Sequence, residues 1–341
     1  MSTEASTYGD GTLSTALFHQ NEVKKVNLID VRVAEIIDET PTIKSIRFER
    51  VDGSPLGVYQ AGAHIDVVGP TAVTRQYSLC STPDDPNSYA IAVKREAESR
   101  GGSAALHELR VGDVLQIGPP RSIMQADLSA GHHLLIAAGI GITPMLSIAR
   151  WLDVHGYNFD LHYFARSRGE AAFLPLLEER CPEKLHMHLG VSLDDHAPLL
   201  RDAMADLPAN THVYTCGPGV FMDMVHDIAV HHVPEEHFHQ ESFHATEQPG
   251  AEANTSFEVE FEGETYPVPA DRSIVEVLQE AGIEVDTSCQ EGICGTCILS
   301  VLEGIPEHRD NVLTKAEKEA GEQITTCVSR SKTPRLVLDW F

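Results

Sequence analysis

Basic residues are scarce in this chain of 341 residues, where 25 Lys+Arg stand against 51 Asp+Glu for a net charge of −26. That balance argues against a nucleic-acid partner, whose phosphates the protein would repel. No apolar run approaches the length needed to cross a bilayer. The polar stretch Met1 to Gly11 lacks the apolar core of a signal peptide, so a cytoplasmic location is expected. There is no internal repeat, and no acid/base dyad or nucleophile motif points to hydrolysis. A second C-x₂-C pair is also missing, which argues against the common zinc arrangements. With seven cysteines and no export signal, disulfides are not expected. Apolar content of 42% and charged content of 22% are ordinary for globular protein, and the length asks for two or three domains.

What is present is concentrated near the C-terminus. Cys289, Cys294 and Cys297 are spaced C-x₄-C-x₂-C, and Cys327 follows about thirty residues later. This is the plant-type spacing for a [2Fe–2S] cluster, in which four thiolates hold two irons. Each iron needs two sulfur ligands, so a short loop must wrap the cluster and a distant strand must close it. Gly292 and Gly295 suit that loop, because they let backbone N–H groups approach the bridging sulfides. From Thr255 onward 17 Asp+Glu face 7 Lys+Arg. A solvated surface explains such charge, and a steering face for a basic partner is the sharper alternative.

Texture divides the rest. Residues 1–24 read as an arm. Residues 25–128 are rich in short strands: Tyr89 to Lys94 alternates with period two, Ile43, Ile46 and Phe48 mark another strand, and turn signals separate them, as in a small barrel. Residues 129–244 alternate strand and helix. Leu134–Ala138 is a continuous apolar run, as in a buried parallel strand. It leads through Gly139-Ile140-Gly141-Ile142-Thr143-Pro144 into a helix with Met145, Ile148, Ala149 and Leu152 on one face. Thr143 is expected as its N-cap and Pro144 as its first residue. Two further strands are expected at Leu161–Ala165 and His212–Thr215. Residues 245–256 have linker composition. In 257–341, Phe257, Val259 and Phe261 alternate, Glu262-Gly263-Glu264 makes a hairpin turn, and Ser273 with Glu276 forms a capping box.

Two further patterns carry chemistry. Gly139-x-Gly141 after a buried strand lets the backbone and a helix N-terminus approach a pyrophosphate, although Pro144 replaces the third glycine of the strict fingerprint. Arg75-Gln76-Tyr77-Ser78 alone is a strand with a solvated edge. Together with Ala92-Val93-Lys94 and Arg100-Gly101-Gly102-Ser103, it resembles the flavin signature of the ferredoxin-reductase superfamily. The same superfamily has the Gly-x-Gly-x-Thr-Pro form, the Cys216-Gly217-Pro218 found here, and a His-x-Glu-x-Phe ending like His239 to Phe243.

The order flavin, nicotinamide, [2Fe–2S] resembles the family of phthalate dioxygenase reductase and vanillate demethylase reductase. That resemblance implies a multidomain α/β and β chain. Its parts are a flavin-binding β-barrel, a Rossmann-like nicotinamide-binding domain and a C-terminal β-grasp ferredoxin domain. It implies that Tyr77 stacks on the isoalloxazine and that Ser78 lies near its reactive edge. Arg75, Gly101, Gly102 and Ser103 would meet the phosphate, FMN being favoured over FAD. Gly139, Gly141, Thr143, Cys216, Gly217 and Pro218 would receive the nicotinamide nucleotide, with Glu241 beside it and Phe243 covering the flavin face. Arg166 and Ser167 occupy the ribose position. With Arg168 the arginines would physically suit a 2′-phosphate, whereas relatives of this type use NADH, the donor adopted here. The many histidines between His226 and His244 match no metal-ligand motif and read as solvated or helix-capping. The function implied is that of a monomeric reductase passing electrons from NADH through FMN and [2Fe–2S] to a Rieske-type aromatic oxygenase or demethylase. A cytochrome P450 or other acceptor, or a flavin/iron–sulfur redox sensor, are the competing readings.

Overall fold

The computed structural model describes residues 28–96, 101–243 and 254–341. The expected arm, Arg100 and most of the expected linker lie outside the described residues. Three principal sheets follow one another along the chain, each with its own buried core.

The first is antiparallel, built from β1 (Ile29–Thr40), β2 (Ile43–Arg50), β3 (His64–Val68), β4 (Thr74–Ser78), β5 (Ser88–Lys94) and β6 (Val114–Ile117), with helix α1 (Gly102–His107) between the last two. Its order is β4-β3-β6-β1-β2-β5, and a bridge between Leu79 and Ile91 links the two edge segments into a barrel. The alternation read from the sequence is the inward set: Tyr89, Ile91 and Val93 pack with Ile46, Phe48, Ile65 and Ile117.

The second is parallel throughout: β7 (His132–Ala138), α2 (Ile142–His155), β8 (Phe159–Ala165), α3 (Leu174–Arg180), β9 (Leu185–Leu189), α4 (Leu193–Met204), β10 (Thr211–Cys216), α5 (Gly219–Ala229) and β11 (Phe238–Glu241), in sheet order β11-β10-β7-β8-β9. Central β7 is buried along its whole length because helices cover both faces, which is why it reads as an unbroken apolar run. The edge strands β9 and β11, interrupted by histidines, gave no such signal. Strand order reverses at β7 and β10, so their C-terminal ends open the crevice where α/β sheets bind ligands. Thr143 is not the N-cap of α2. A 3₁₀ turn over Gly139–Gly141 brings the helix start forward to Ile142 with Gly141 as cap, and the Thr143 hydroxyl donates to the Ile140 carbonyl at 3.0 Å.

The third unit comprises β12 (Phe257–Phe261), β13 (Glu264–Val268), α6 (Ile274–Glu280), β14 (Ile298–Glu303), β15 (Pro306–Glu307), α7 (Lys315–Ala320), β16 (Gln323–Thr325), β17 (Arg330–Ser331) and β18 (Arg335–Asp339). Its mixed sheet, β13-β12-β18-β14-β16, has β12 and β18 parallel, and α6 packs Ile274, Val275 and Leu278 into its core: the expected β-grasp arrangement. Glu262 and Gly263 take φ of 53° and 83° in the β12–β13 turn, the left-handed pair a two-residue hairpin needs. The capping box is present, with the Ser273 and Glu276 side chains each bonding the other's backbone N–H. Among the described residues no helix is long and apolar enough to cross a membrane.

Candidate functional site

A cleft of about 460 Å³ runs between the barrel and the α/β sheet. The barrel contributes Arg75, Tyr77 and Ser78 from β4, Ala92 and Lys94 from β5, and Gly102 and Ser103 from the start of α1. Alternation decides which β5 residues take part: Ala92 and Lys94 line the cleft, while Val93 points into the barrel core and its carbonyl meets His107 at 2.8 Å. Gly101 enters α1 at φ 100°, and a Cβ on Gly102 would lie 3.6 Å from the Arg75 side chain, so Arg75 lies against the turn expected to hold a phosphate. Thr143, Glu241 and Phe243 line the opposite wall.

Behind that wall the two glycine motifs meet. A Cβ on Gly141 would come within 2.1 Å of the Cys216 carbonyl oxygen, so only glycine allows the β7–α2 turn to pack on the end of β10. Gly217 is nearly as confined, by Ala138 and Phe221. Cys216 is fully buried in register with Glu241, and burial holds its thiol protonated, well above the ordinary range. Pro218 caps α5 at the exposed mouth of the crevice. Arg166 and Ser167 are exposed after β8, outside the cleft. Arg166 lies 3.9 Å from Glu170, and Arg168 pairs with Glu178.

Glu241 is the electrostatic centre of the cleft. Burial pushes its carboxyl up to about 8, against a lowering contribution from Ser78, whose hydroxyl donates to both carboxylate oxygens at 3.2 Å. His64, 3.9 Å away, is pushed down to about 4, first by burial and then by the charge of Arg121. At neutral pH this contact therefore joins a protonated acid and a neutral imidazole, not an ion pair. His64 was not legible beforehand, because one histidine in a strand carries no motif.

The four cysteines converge on the loop between α6 and β14. Pairing of Ile298 with Thr325 brings Cys297 and Cys327 together, and Thr326 donates its hydroxyl to the Cys297 carbonyl at 2.9 Å. The thiols interact in two pairs, Cys289 with Cys294 and Cys297 with Cys327. Two pairs suit two irons. Backbone N–H groups of Glu291 and Ile293 point at the Cys289 sulfur, and that of Gly292 at Cys327. Gln290, Gly292 and Gly295 take φ of 54°, 72° and 71° to make this wrap. Glu291 and Ile293 from the loop also line the flavin-side cleft.

The histidine-rich stretch departs in part from its expected role. His226 lies in the last turn of α5 and meets Glu235 at 2.9 Å, but His237 and His239 stack on His212 against the sheet. Packing against a sheet face has no local sequence signature.

The family profile described as "2Fe-2S iron-sulfur cluster binding domain" matches residues 257–332. A vanillate O-demethylase oxidoreductase from Pseudomonas sp. (strain HR199 / DSM 7063) is 41% identical over 92% of this chain and 100% of its own length. A phthalate dioxygenase reductase from Burkholderia cepacia is 41% identical over 86% of this chain and 92% of its own. A solved phthalate dioxygenase reductase, described as a modular structure for electron transfer from pyridine nucleotides to [2Fe–2S], superposes with a TM-score of 0.66 at 36% identity, covering 92% of this chain and 98% of that one. With identity of this level over most of both chains, the chain belongs to the family of vanillate O-demethylase oxidoreductases and phthalate dioxygenase reductases, the oxidoreductase components of demethylase and dioxygenase systems.

Proposed function

We propose that the protein passes electrons from NADH through FMN and a [2Fe–2S] cluster to a separate Rieske-type oxygenase or demethylase. One observation carries this reading. A single cleft is lined by the flavin-motif strand, by Thr143, Glu241 and Phe243 of the nicotinamide side, and by Glu291 and Ile293 of the cluster loop. FMN, when bound, accepts the two electrons of a hydride together and returns them singly, the change of count a one-electron acceptor needs.

The chain's own residues prepare that exchange. Tyr77 offers a ring face in the cleft, and Arg75 with the Gly102–Ser103 turn offers charge and donors to a phosphate. Glu291 lies 3.6 Å from Arg75, and a second phosphate there would meet its carboxylate, which supports FMN over FAD. Ser78 and Glu241 hold a proton at the boundary between barrel and α/β sheet. Phe243 packs against the α2 core and covers the cleft. Gly139, with open space where a Cβ would stand, and the exposed Pro218 leave room for a nucleotide at the crevice, while Gly141 and Gly217 shape it by their close packing. Carboxylates beside Arg166 and Arg168 weaken any 2′-phosphate site, which supports NADH. We place the units at 25–128, 129–244 and 257–341, with an arm at 1–24 and a linker at 245–256. A cytoplasmic monomer fits thiols that must stay reduced.

Anaerobic addition of NADH should produce the EPR signal of a reduced [2Fe–2S] cluster. If the signal is absent while dithionite still reduces the cluster, either NADH is the wrong donor or the flavin link is missing. Cys327→Ser should lose the signal and retain flavin bleaching by NADH. Normal electron delivery to a one-electron acceptor protein by that variant would show the fourth ligand to be misassigned.

A further inference from the structure

Ser288 immediately precedes the cluster ligand Cys289, and its hydroxyl bonds to the barrel. It donates to Asp66 Oδ1 at 2.7 Å and accepts from Gln76 Nε2 at 2.7 Å and Arg121 Nη2 at 3.2 Å. A hydroxyl has one donor and two acceptor positions, so its capacity is filled by another domain. The three partners are fixed among themselves. Asp66 is 2% exposed, accepts from Gln76 at 2.6 Å and pairs with Arg121 at 2.8 Å. Asp66 and Gln76 face each other in the β3–β4 register, and Arg121 is tied by its backbone to His64. Gln76 is the unspecified position in the Arg-x-Tyr-Ser motif. Because successive side chains in a strand point to opposite faces, Gln76 reaches Ser288 from the face of β4 opposite to Arg75 and Tyr77, and Arg75 meets the same loop at Glu291.

We propose that Ser288 is a positioning residue for internal electron transfer. Its latch to Asp66, Gln76 and Arg121 fixes the cluster loop against β4 and so sets the rate at which electrons reach the cluster, separately from hydride delivery. The proposal rests on the electron path given above. Tunnelling falls off exponentially with separation, so a loop whose fully bonded hydroxyl stands next to a ligand is sensitive to that hydroxyl.

The test uses the holoprotein and its Ser288→Ala, Ser288→Thr and Asp66→Ala variants under anaerobic stopped flow with NADH. In Ser288→Ala and Asp66→Ala, flavin bleaching should stay within about twofold of the parent while cluster reduction slows about tenfold or more, the factor that exponential distance dependence gives for a loop displaced by more than an ångström. Ser288→Thr, which keeps the hydroxyl, should recover most of the rate. Amide hydrogen exchange over residues 74–78 and 286–294 should quicken in both latch-breaking variants. If Ser288→Ala loses the cluster, Asp66→Ala, remote in sequence from the ligands, decides the matter. Parent-like cluster reduction and exchange in the latch-breaking variants that keep the cluster would overturn the proposal. Failure of NADH to reduce the parent's flavin would instead overturn the electron path, and the exchange measurement would still decide the latch.

Discussion

A carboxyl group sealed from solvent is costly as an anion, and Glu241 is such a group, with an ordinary value of 4.5 pushed up to about 8. Between those values the unfolded chain has released the proton and the native chain keeps it. Stability contributed by this group is therefore present below 4.5 and lost as pH rises toward 8. Glu241→Gln should remove that slope: the difference in melting temperature between variant and parent should grow from pH 5 to pH 8. A constant difference would show that Glu241 titrates normally. Gly141 makes a second residue-scale prediction. Its would-be Cβ meets backbone rather than a movable side chain, so Gly141→Ala must displace the turn from β10. NADH-driven flavin reduction should fall about tenfold or more, while dithionite still gives the cluster's EPR signal. Such residues differ in how visible they were. The cysteines were fully legible because one loop supplies three ligands. Ser288 and His64 were not, since their partners lie in other elements.

At the scale of elements, the parallel sheet carries histidines on both faces. On one, His162 bonds His188 at 3.0 Å and stacks on His186; on the other, His212 bonds His239 at 3.0 Å and stacks on His237. Burial is the first cause holding His162 at about 3 and His239 at about 4, with neighbouring histidines adding to it, and it also lowers His188 and His212. Asp160 near His162 and Asp127 near His212 and His239 oppose the shift. Below the ordinary 6.5 the unfolded chain binds protons that the native stacks refuse, so stability falls as pH drops from about 6.5 toward 4. The urea midpoint should be lower at pH 5 than at pH 7, and His162→Phe should reduce that drop. The strands bearing these stacks show what local pattern can reveal. β7 announced itself because both faces are covered. β9 and β11 did not, because edge strands mixing histidine with apolar residues lack either periodicity.

At the scale of the whole molecule, electron flow needs one internal junction and one external. The internal junction is held by contacts at the flavin-side cleft. On the proposed electron path the external one falls to the ferredoxin unit, with 17 acidic against 7 basic residues from Thr255 onward. Long-range attraction between exposed charges is screened over about 8–10 Å at physiological salt. Electron delivery to a basic acceptor protein should therefore slow as salt is raised from low ionic strength, while cluster reduction at saturating NADH should not. Equal salt dependence of both would remove the steering role of the acidic face.

The sequence alone determined what depends on neighbours in the chain: the three-unit order, the central strands, the capping box, the hairpin turn, and the four thiols with their glycines. Spacing, period and turn chemistry are local quantities, so they survive in one dimension. Tertiary structure alone decided which residues share the cleft, that Val93 faces inward where Ala92 and Lys94 face the cleft, and that Thr143 is not a cap. It also decided that Glu241 holds its proton and that Ser288 is bonded across a domain boundary. Burial and long-range hydrogen bonding arise only when separate sheets meet, and no spacing within the chain encodes that meeting.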